Sequence, residues 1–367
     1  MSKVRHVLGI SGGKDSAALA IYTKTKYPNL DLEFYSCDTG KELDETYQLI
    51  RNLEVYLGIK IELLQAAQNS SEDPFDHFLK MYGGFLPSSN ARWCTKKLKL
   101  EPFEKYVGED PVVSYVGIRG DEEREGYIST KKNIQSIFPF RKNIWSEDVV
   151  AKMLSNQNFD KIESLSKNID FGRYQDKALQ IISRRLDPSF TQAQKLNALL
   201  DTDVKAFNQL VFEFLKTTDY PLSKEATFPL LDNDEVLVRD DIFRILEESG
   251  VGVPAYYNKL DFDVDGSVGQ YSRSRSGCYF CFFQQKIEWV WLYEQHPELY
   301  KKAMDYEKDG YTWGQHESLA ELIEPERMKT IKEDYIKKME KKSKLKSNYL
   351  IDILDDSEGE GCAACFI

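Results

Sequence analysis

The sequence predicts an α/β protein: a parallel sheet with helices on both faces, carrying a helical insertion and a helical C-terminal region. Three observations predict it. The N-terminal third alternates short apolar runs with segments of helical spacing. Those runs are apolar throughout, as strands buried on both faces are. A glycine-rich turn, Ser11-Gly12-Gly13-Lys14-Asp15-Ser16, joins the first run to the first helical segment.

The elements follow in order. Residues 4–10 are a β-branched strand and 17–27 carry good helix formers. Residues 32–37 read as a second buried strand. Over 43–57 the spacing of Leu43, Tyr47, Ile50, Leu53 and Leu57 predicts a helix. Residues 59–64 and 112–118 are further strands. From about 128 to 226 polar residues alternate with Val149, Met153, Phe159, Ile162 and Leu165 at helical spacing, which predicts the insertion. Asp240 is a candidate cap for a helix over 242–248, ended by Gly250, Gly252 and Pro254. A helical region begins at Trp289, and the Lys-rich residues 329–346 read as a solvated helix. Residues 352–361 are acidic and predict a tail.

Composition bounds the function. The chain has 367 residues, 41% hydrophobic and 30% charged, with a formal charge of -11. That balance excludes a generally basic nucleic-acid coat. No apolar run reaches the roughly 18 residues of a membrane helix. The start, Met1-Ser2-Lys3-Val4-Arg5-His6, leads into too short an apolar stretch for a signal peptide, so the expectation is a cytoplasmic protein without a membrane. Cys37, Cys94, Cys278, Cys281, Cys362 and Cys365 are too few for a disulfide scaffold, yet four of them form two C-x-x-C pairs. His6, His77, His296 and His316 are scattered and read as structural.

The loop carries the sharpest chemistry. Its glycines let backbone N–H groups turn toward an anion, the helix N-terminus adds positive dipole, and Ser11, Lys14 and Ser16 add donors and charge. It suits phosphate. It is not a Walker A loop, which needs Gly where this chain has Leu8 and Ser or Thr where it has Asp15. Asp38 follows the second strand, where ligands bind in open α/β sheets. Magnesium, ribose or adenine recognition and simple helix capping all stay open for it. Arg119 and Arg124 follow a strand end and can pair bidentately with phosphate or sulfate, or form ion pairs with Asp121 or Glu122. Cys278 and Cys281, in an aromatic stretch, can bring two thiolates to one metal or stand as a reduced dithiol.

The string Ser11 to Ser16 resembles the signature of the PP-loop ATP pyrophosphatases, in the phosphoadenosine phosphosulfate (PAPS) reductase-like branch. Cys37-Asp38-Thr39-Gly40 with Glu45-Thr46 is similar to that branch's D-T-G…E-T segment. Residues 90–99, centred on Arg92-Trp93-Cys94, are similar to its R-x-C element. Gly117-Ile118-Arg119, followed by Glu122 and Arg124, is similar to its G-I-R-x-x-E-S-x-R element, with Glu123 where Ser is usual. Gly277-Cys278-Tyr279-Phe280-Cys281 is similar to its late G-C-x-x-C. The resemblance covers roughly 1–125 and 228–305. It implies an adenine nucleotide α-hydrolase-like fold. Residues 1–127 would be the PP-loop domain, 128–227 the insertion, 228–305 the continued core, and 306–367 the helical end and tail.

It further implies ATP and Mg²⁺ at Ser11, Gly12, Gly13, Lys14, Asp15, Ser16, Asp38, Thr39, Gly117, Arg119 and Arg124. Lys14, Asp15 and Arg119 would be catalytic. Attack on the α-phosphorus would release pyrophosphate and leave an adenylated substrate. Cys94, Cys278 and Cys281 would hold an iron–sulfur cluster, with zinc the alternative metal. Cys362 and Cys365 could be a fourth ligand, a sulfur relay or bystanders. The late aromatic C-x-x-C and the insertion are most similar to the pyrophosphatases of DNA phosphorothioation (DndC- and SspD-like), which serve antiphage defence. That implies protein partners of a sulfur-modification complex, which would also bring any nucleic-acid substrate. The alternatives are a PAPS or adenosine phosphosulfate reductase, a tRNA-thiolating enzyme, and an ATP-bound adaptor in a defence complex.

Overall fold

A computed structural model describes residues 3–122, 129–308, 310–314 and 317–344. The first half builds β1 (Arg5–Gly9), α1 (Lys14–Lys26), β2 (Leu32–Asp38), α2 (Asp44–Leu57), β3 (Glu62–Gln65), α3 (Pro74–Met81), α4 (Trp93–Thr95), α5 (Glu101–Val107), β4 (Val112–Tyr115) and β5 (Ile134–Ile137). Five helices follow: α6 (Glu147–Leu154), α7 (Phe159–Ser166), α8 (Gln175–Ile182), α9 (Gln192–Leu200) and α10 (Val204–Leu215). The rest comprises α11 (Arg239–Glu248), β6 (Leu260–Val264), β7 (Ser267–Tyr271), α12 (Lys286–Gln295), α13 (Pro297–Met304), α14 (Leu319–Leu322) and α15 (Pro325–Lys344).

The sheet runs β3-β2-β1-β4-β5, every pairing parallel. Successive side chains of β1 leave on opposite faces. Leu8 joins the large cluster under α1 and α2, whereas Val7 joins Tyr35, Phe103 and Val107 beneath α5. Helices therefore cover both faces, as the sequence predicts. α1 is buried along most of its length because Ala17, Ala18 and Ala20 let it lie close to the sheet with α11 packed along it.

Two segments differ from expectation. The insertion expected at 128–227 begins with β5, a fifth parallel strand. Its residues Ile-Gln-Ser-Ile are too few and too polar to signal a strand, and pairing with β4 supplies what local propensity lacks. Residues 260–271 form an antiparallel hairpin, β6–β7, where no strand is expected. The helix expected over 242–248 starts at Arg239, and Asp240 is not its cap. Asp241 instead accepts the Val238 backbone N–H at 3.0 Å.

Helices α6–α10 share one core with the sheet: Trp145, Met153, Phe207, Leu210 and Phe214 belong to the cluster that holds Leu8 and Tyr115. A second, aromatic cluster gathers Phe75, Trp93, Tyr256, Phe280, Trp289 and Trp313. It fastens the C-terminal region to the segment after β2. Among the described residues, no helix is long and apolar enough to cross a membrane.

Candidate functional site

The C-terminal ends of β2, β1 and β4 lie side by side. The loop leaves β1, Asp38 and Thr39 leave β2, and Gly117 and Arg119 leave β4. Parallel pairing thus brings three separate sequence motifs to one edge.

The loop is tightly built. Gly12 has φ +71°, a left-handed conformation, and a Cβ there would come 2.2 Å from Thr46 Cγ2. Gly13 precedes α1, and a Cβ would lie 2.6 Å from Ser276 Oγ. Ser16 Oγ accepts the Ser11 N–H at 3.1 Å and donates to the Gly13 carbonyl at 3.2 Å. Lys14, Asp15 and Ser16 are all buried. Lys14 Nζ lies 3.4 Å from Asp15, 3.5 Å from the Ser274 carbonyl and 4.8 Å from the centre of the Tyr257 ring.

Arg119 is buried against carboxylates. It meets Asp15 at 2.9 Å, Asp121 at 2.9 Å and Glu122 at 3.1 Å. The ion-pair reading of Arg119 therefore describes this structure, with Asp15 a third, buried partner. Removing one side of such a pair leaves an uncompensated charge. Gly117 packs on the same turn, where a Cβ would lie 2.9 Å from the Asp15 carbonyl. The carboxylate of Asp38 accepts from Gly40 N, Tyr47 Oη and Gln65 Nε2. Arg124 lies outside the described residues, as do Cys362 and Cys365.

Cys94, Cys278 and Cys281 line one small cleft with Thr39, Lys99 and Arg275. Cys94 stands just before a π-helical turn, Lys96–Leu100, which aims Lys99 toward the thiols. Burial pushes the Cys94 thiol up to about 11 and the Cys278 thiol well above its usual value. Cys37 is separate: its thiol donates to the Lys99 carbonyl at 3.6 Å, and burial pushes it up to about 12. Among the described residues, no three or more His, Cys, Asp or Glu side chains are arranged to hold one metal ion. An iron–sulfur cluster fits in donor chemistry: three thiols, aromatic walls, and Lys99 and Arg275 to offset negative charge.

Sequence reasoning names Thr39 here but overlooks Glu42, Tyr256 and Ser274. Thr39 Oγ1 donates to Glu42 at 2.6 Å and lies 3.2 Å from Cys278 Sγ, so it joins the sheet edge beside the glycine loop to the cysteine cleft. Burial holds the Glu42 carboxyl above the usual range. Tyr256 Oη donates to the Gly12 carbonyl at 3.0 Å. The Ser-Arg-Ser-Arg-Ser run before Gly277, which lies across the loop, was the available signal for Ser274 and Ser276.

Residues 5–167 match the family model described as phosphoadenosine phosphosulfate reductase domain. The span takes in the loop, Asp38, Cys94 and Arg119 and stops before Cys278. An uncharacterized protein of Methanocaldococcus jannaschii is 32% identical over 174 residues, 42% of this chain and 34% of that protein. A second uncharacterized protein of the same organism is 25% identical over 168 residues, 41% of this chain and 38% of its own length. An uncharacterized nin region protein of Escherichia phage lambda is 28% identical over 172 residues, 40% of this chain and 58% of its own. The chain thus spans between about a third and somewhat over half of each relative. These matches support a PAPS reductase-like domain within the chain.

Proposed function

From a PAPS reductase-like domain, of the kind carried by enzymes of the adenine nucleotide α-hydrolase superfamily, we propose an ATP pyrophosphatase that adenylates a substrate for sulfur incorporation. The observation that carries this reading is the loop: a left-handed Gly12, a bare Gly13 and the α1 N-terminus stand over buried Lys14. Backbone N–H groups and one ammonium in a dry site stabilise charge developing on a leaving pyrophosphate. Attack by a substrate oxygen on the α-phosphorus forms the P–O bond to substrate and breaks the bond to pyrophosphate. Ser11, Ser16 and Lys14 hold the phosphates in place. Arg119 positions Asp15, and Asp15 in turn holds Lys14. Magnesium, carried by the triphosphate, would add further charge neutralisation.

Cys94, Cys278 and Cys281 would hold an iron–sulfur cluster, which would supply sulfur or redox chemistry beside the activated substrate. The working context would be a DNA phosphorothioation or antiphage system with partner proteins that bring the nucleic acid. A second reading, a sulfonucleotide reductase, is favoured by the family description of residues 5–167.

The test is product release. Pyrophosphate from ATP, at least ~100-fold reduced in Lys14→Ala, is the expected result. Sulfite from PAPS with no pyrophosphate from ATP would establish the second reading instead. Asp15→Asn is a better probe than Asp15→Ala. The amide keeps a partner for Arg119, whereas the alanine would cost about 3–5 kcal/mol of stability.

A further inference from the structure

Arg273 lies just past β7 and shortly before Cys278, and its side chain is 2% exposed. Nη2 donates to the Cys278 carbonyl at 3.0 Å and to Gln284 Oε1 at 3.4 Å. The same carbonyl accepts the Cys281 N–H at 3.2 Å, the bond that closes the C-x-x-C turn. The Gln284 N–H then bonds the Cys281 carbonyl at 2.9 Å. One guanidinium nitrogen thus braces both ends of the turn that sets how the two thiols stand to each other.

Arg273 is also joined to the glycine loop. Its backbone N–H donates to the Tyr256 carbonyl at 2.9 Å, and its guanidinium lies 5.8 Å from the centre of the Tyr256 ring. Tyr256 is 1% exposed and donates its hydroxyl to the Gly12 carbonyl at 3.0 Å. Loop, Tyr256, Arg273 and C-x-x-C turn are therefore successive links of one buried chain. Close packing leaves such links little freedom to move separately. Holding a carbonyl needs no charge, and a buried guanidinium costs more than a neutral amide in that place. Among the described residues no carboxylate pairs with Arg273, and its Nε and Nη1 have no hydrogen-bond partner. A cation behind the turn suits thiols that become anionic on ligating metal.

We propose that Arg273 is a positioning residue: it shapes the C-x-x-C turn and, through Tyr256, ties that turn to the glycine loop, so that a ligand on the loop changes how the Cys278 and Cys281 thiols are presented. The inference rests on the adenylation reading for its use, which is to match sulfur chemistry to nucleotide occupancy. The tie itself rests on the contacts alone.

The experiment labels the reduced full chain with N-ethylmaleimide and follows Cys278 and Cys281 by peptide mass spectrometry, a rate that tracks how often the turn opens. ATP with magnesium is the loop probe, its binding read by calorimetry. Saturating ATP should change the wild-type labelling rate about fivefold. Tyr256→Phe and Arg273→Gln should bind ATP and lose that response. Tyr256→Phe removes one hydroxyl and keeps the test valid should Arg273→Gln fail to fold. A response kept in either folded variant overturns the proposal and hands the coupling to the Ser276 contact on Gly13. Wild-type labelling that ignores bound ATP overturns it too. Where ATP does not bind, the ligand-free rates decide: Tyr256→Phe, altered only at the loop end, should speed Cys278 labelling about fivefold, and an unchanged rate overturns the tie. Cys37, outside the turn, is the control, and a matching rise there would mean general loosening and overturn the proposal. Failure of wild type to bind ATP, with Tyr256→Phe still speeding Cys278, would sink the adenylation reading and leave the tie standing.

Discussion

Gly13 and His6 show how single residues are fixed by partners far along the chain. Gly13 has an ordinary φ of -98°, so crowding rather than backbone strain opposes a side chain there, chiefly from Ser276 Oγ, with Tyr257 Oη at 3.3 Å. Gly13→Ala should therefore push residues 272–276 off the loop and weaken nucleotide binding about tenfold, roughly 1.4 kcal/mol. Ser276→Gly in the same chain should restore most of it, as titration with ATP would show. Gly12→Ala has no such rescue, because its strain lies in the backbone as well. His6 is buried beside Tyr115 Oη at 2.9 Å and stacks on Phe228. Burial pushes its pKa from 6.5 down to about 4. Between those values the unfolded chain binds the proton and the folded chain does not. Stability is therefore present above pH 6.5 and lost as pH falls toward 4, by about 3 kcal/mol at ~1.4 per unit. Denaturant titrations across that window should show this loss in the wild type and a flatter profile in His6→Gln.

At the scale of elements, one carboxylate ties two helices together. Glu317 accepts from Arg327 Nε at 2.7 Å and Nη2 at 3.0 Å and pairs with Lys286, so it joins the first turn of α15 to the start of α12. The Arg327 hydrogen bonds, with help from Lys286 and against the opposing push of burial, leave its pKa at about 2 against an ordinary 4.5. That stability is present above pH 4.5 and lost as pH falls through 2. Glu317→Gln should cost about 2 kcal/mol at neutral pH. The difference from wild type should close as thermal melts are repeated at lower pH; a gap that persists at pH 2 would mean packing, not charge, is responsible.

On the scale of the molecule, the helices between β5 and α11 are not a detachable lobe. Trp145 Nε1 donates to Asn208 Oδ1 at 2.9 Å, and Asn208 Nδ2 reaches the Leu231 and Asn233 carbonyls. Asn233 in turn accepts from Tyr22 of α1 at 2.8 Å. A buried polar chain thus runs from α10 to α1, inside one continuous apolar cluster. Replacing residues 147–226 with a short linker should abolish cooperative unfolding rather than leave a smaller stable sheet. A linker variant that melts cooperatively would show that the sheet folds alone.

The sequence by itself determined the local features: strand and helix alternation over residues 4–118, the glycine-rich loop between the first strand and helix, and the paired thiols of C-x-x-C. Each is legible because its physics is contained in a few neighbouring residues: a period, a glycine, a fixed spacing. Tertiary structure alone decided what those features meet. Ser274 reaches Lys14 across 260 positions, and Arg119 reaches Asp15 across 104. Arg273 reads in sequence like any surface arginine, yet it is buried with two nitrogens unpaired. β5 exists because β4 lies beside it. Such partners are chosen by how whole faces pack, and packing depends on every element at once rather than on the residues adjacent in the chain.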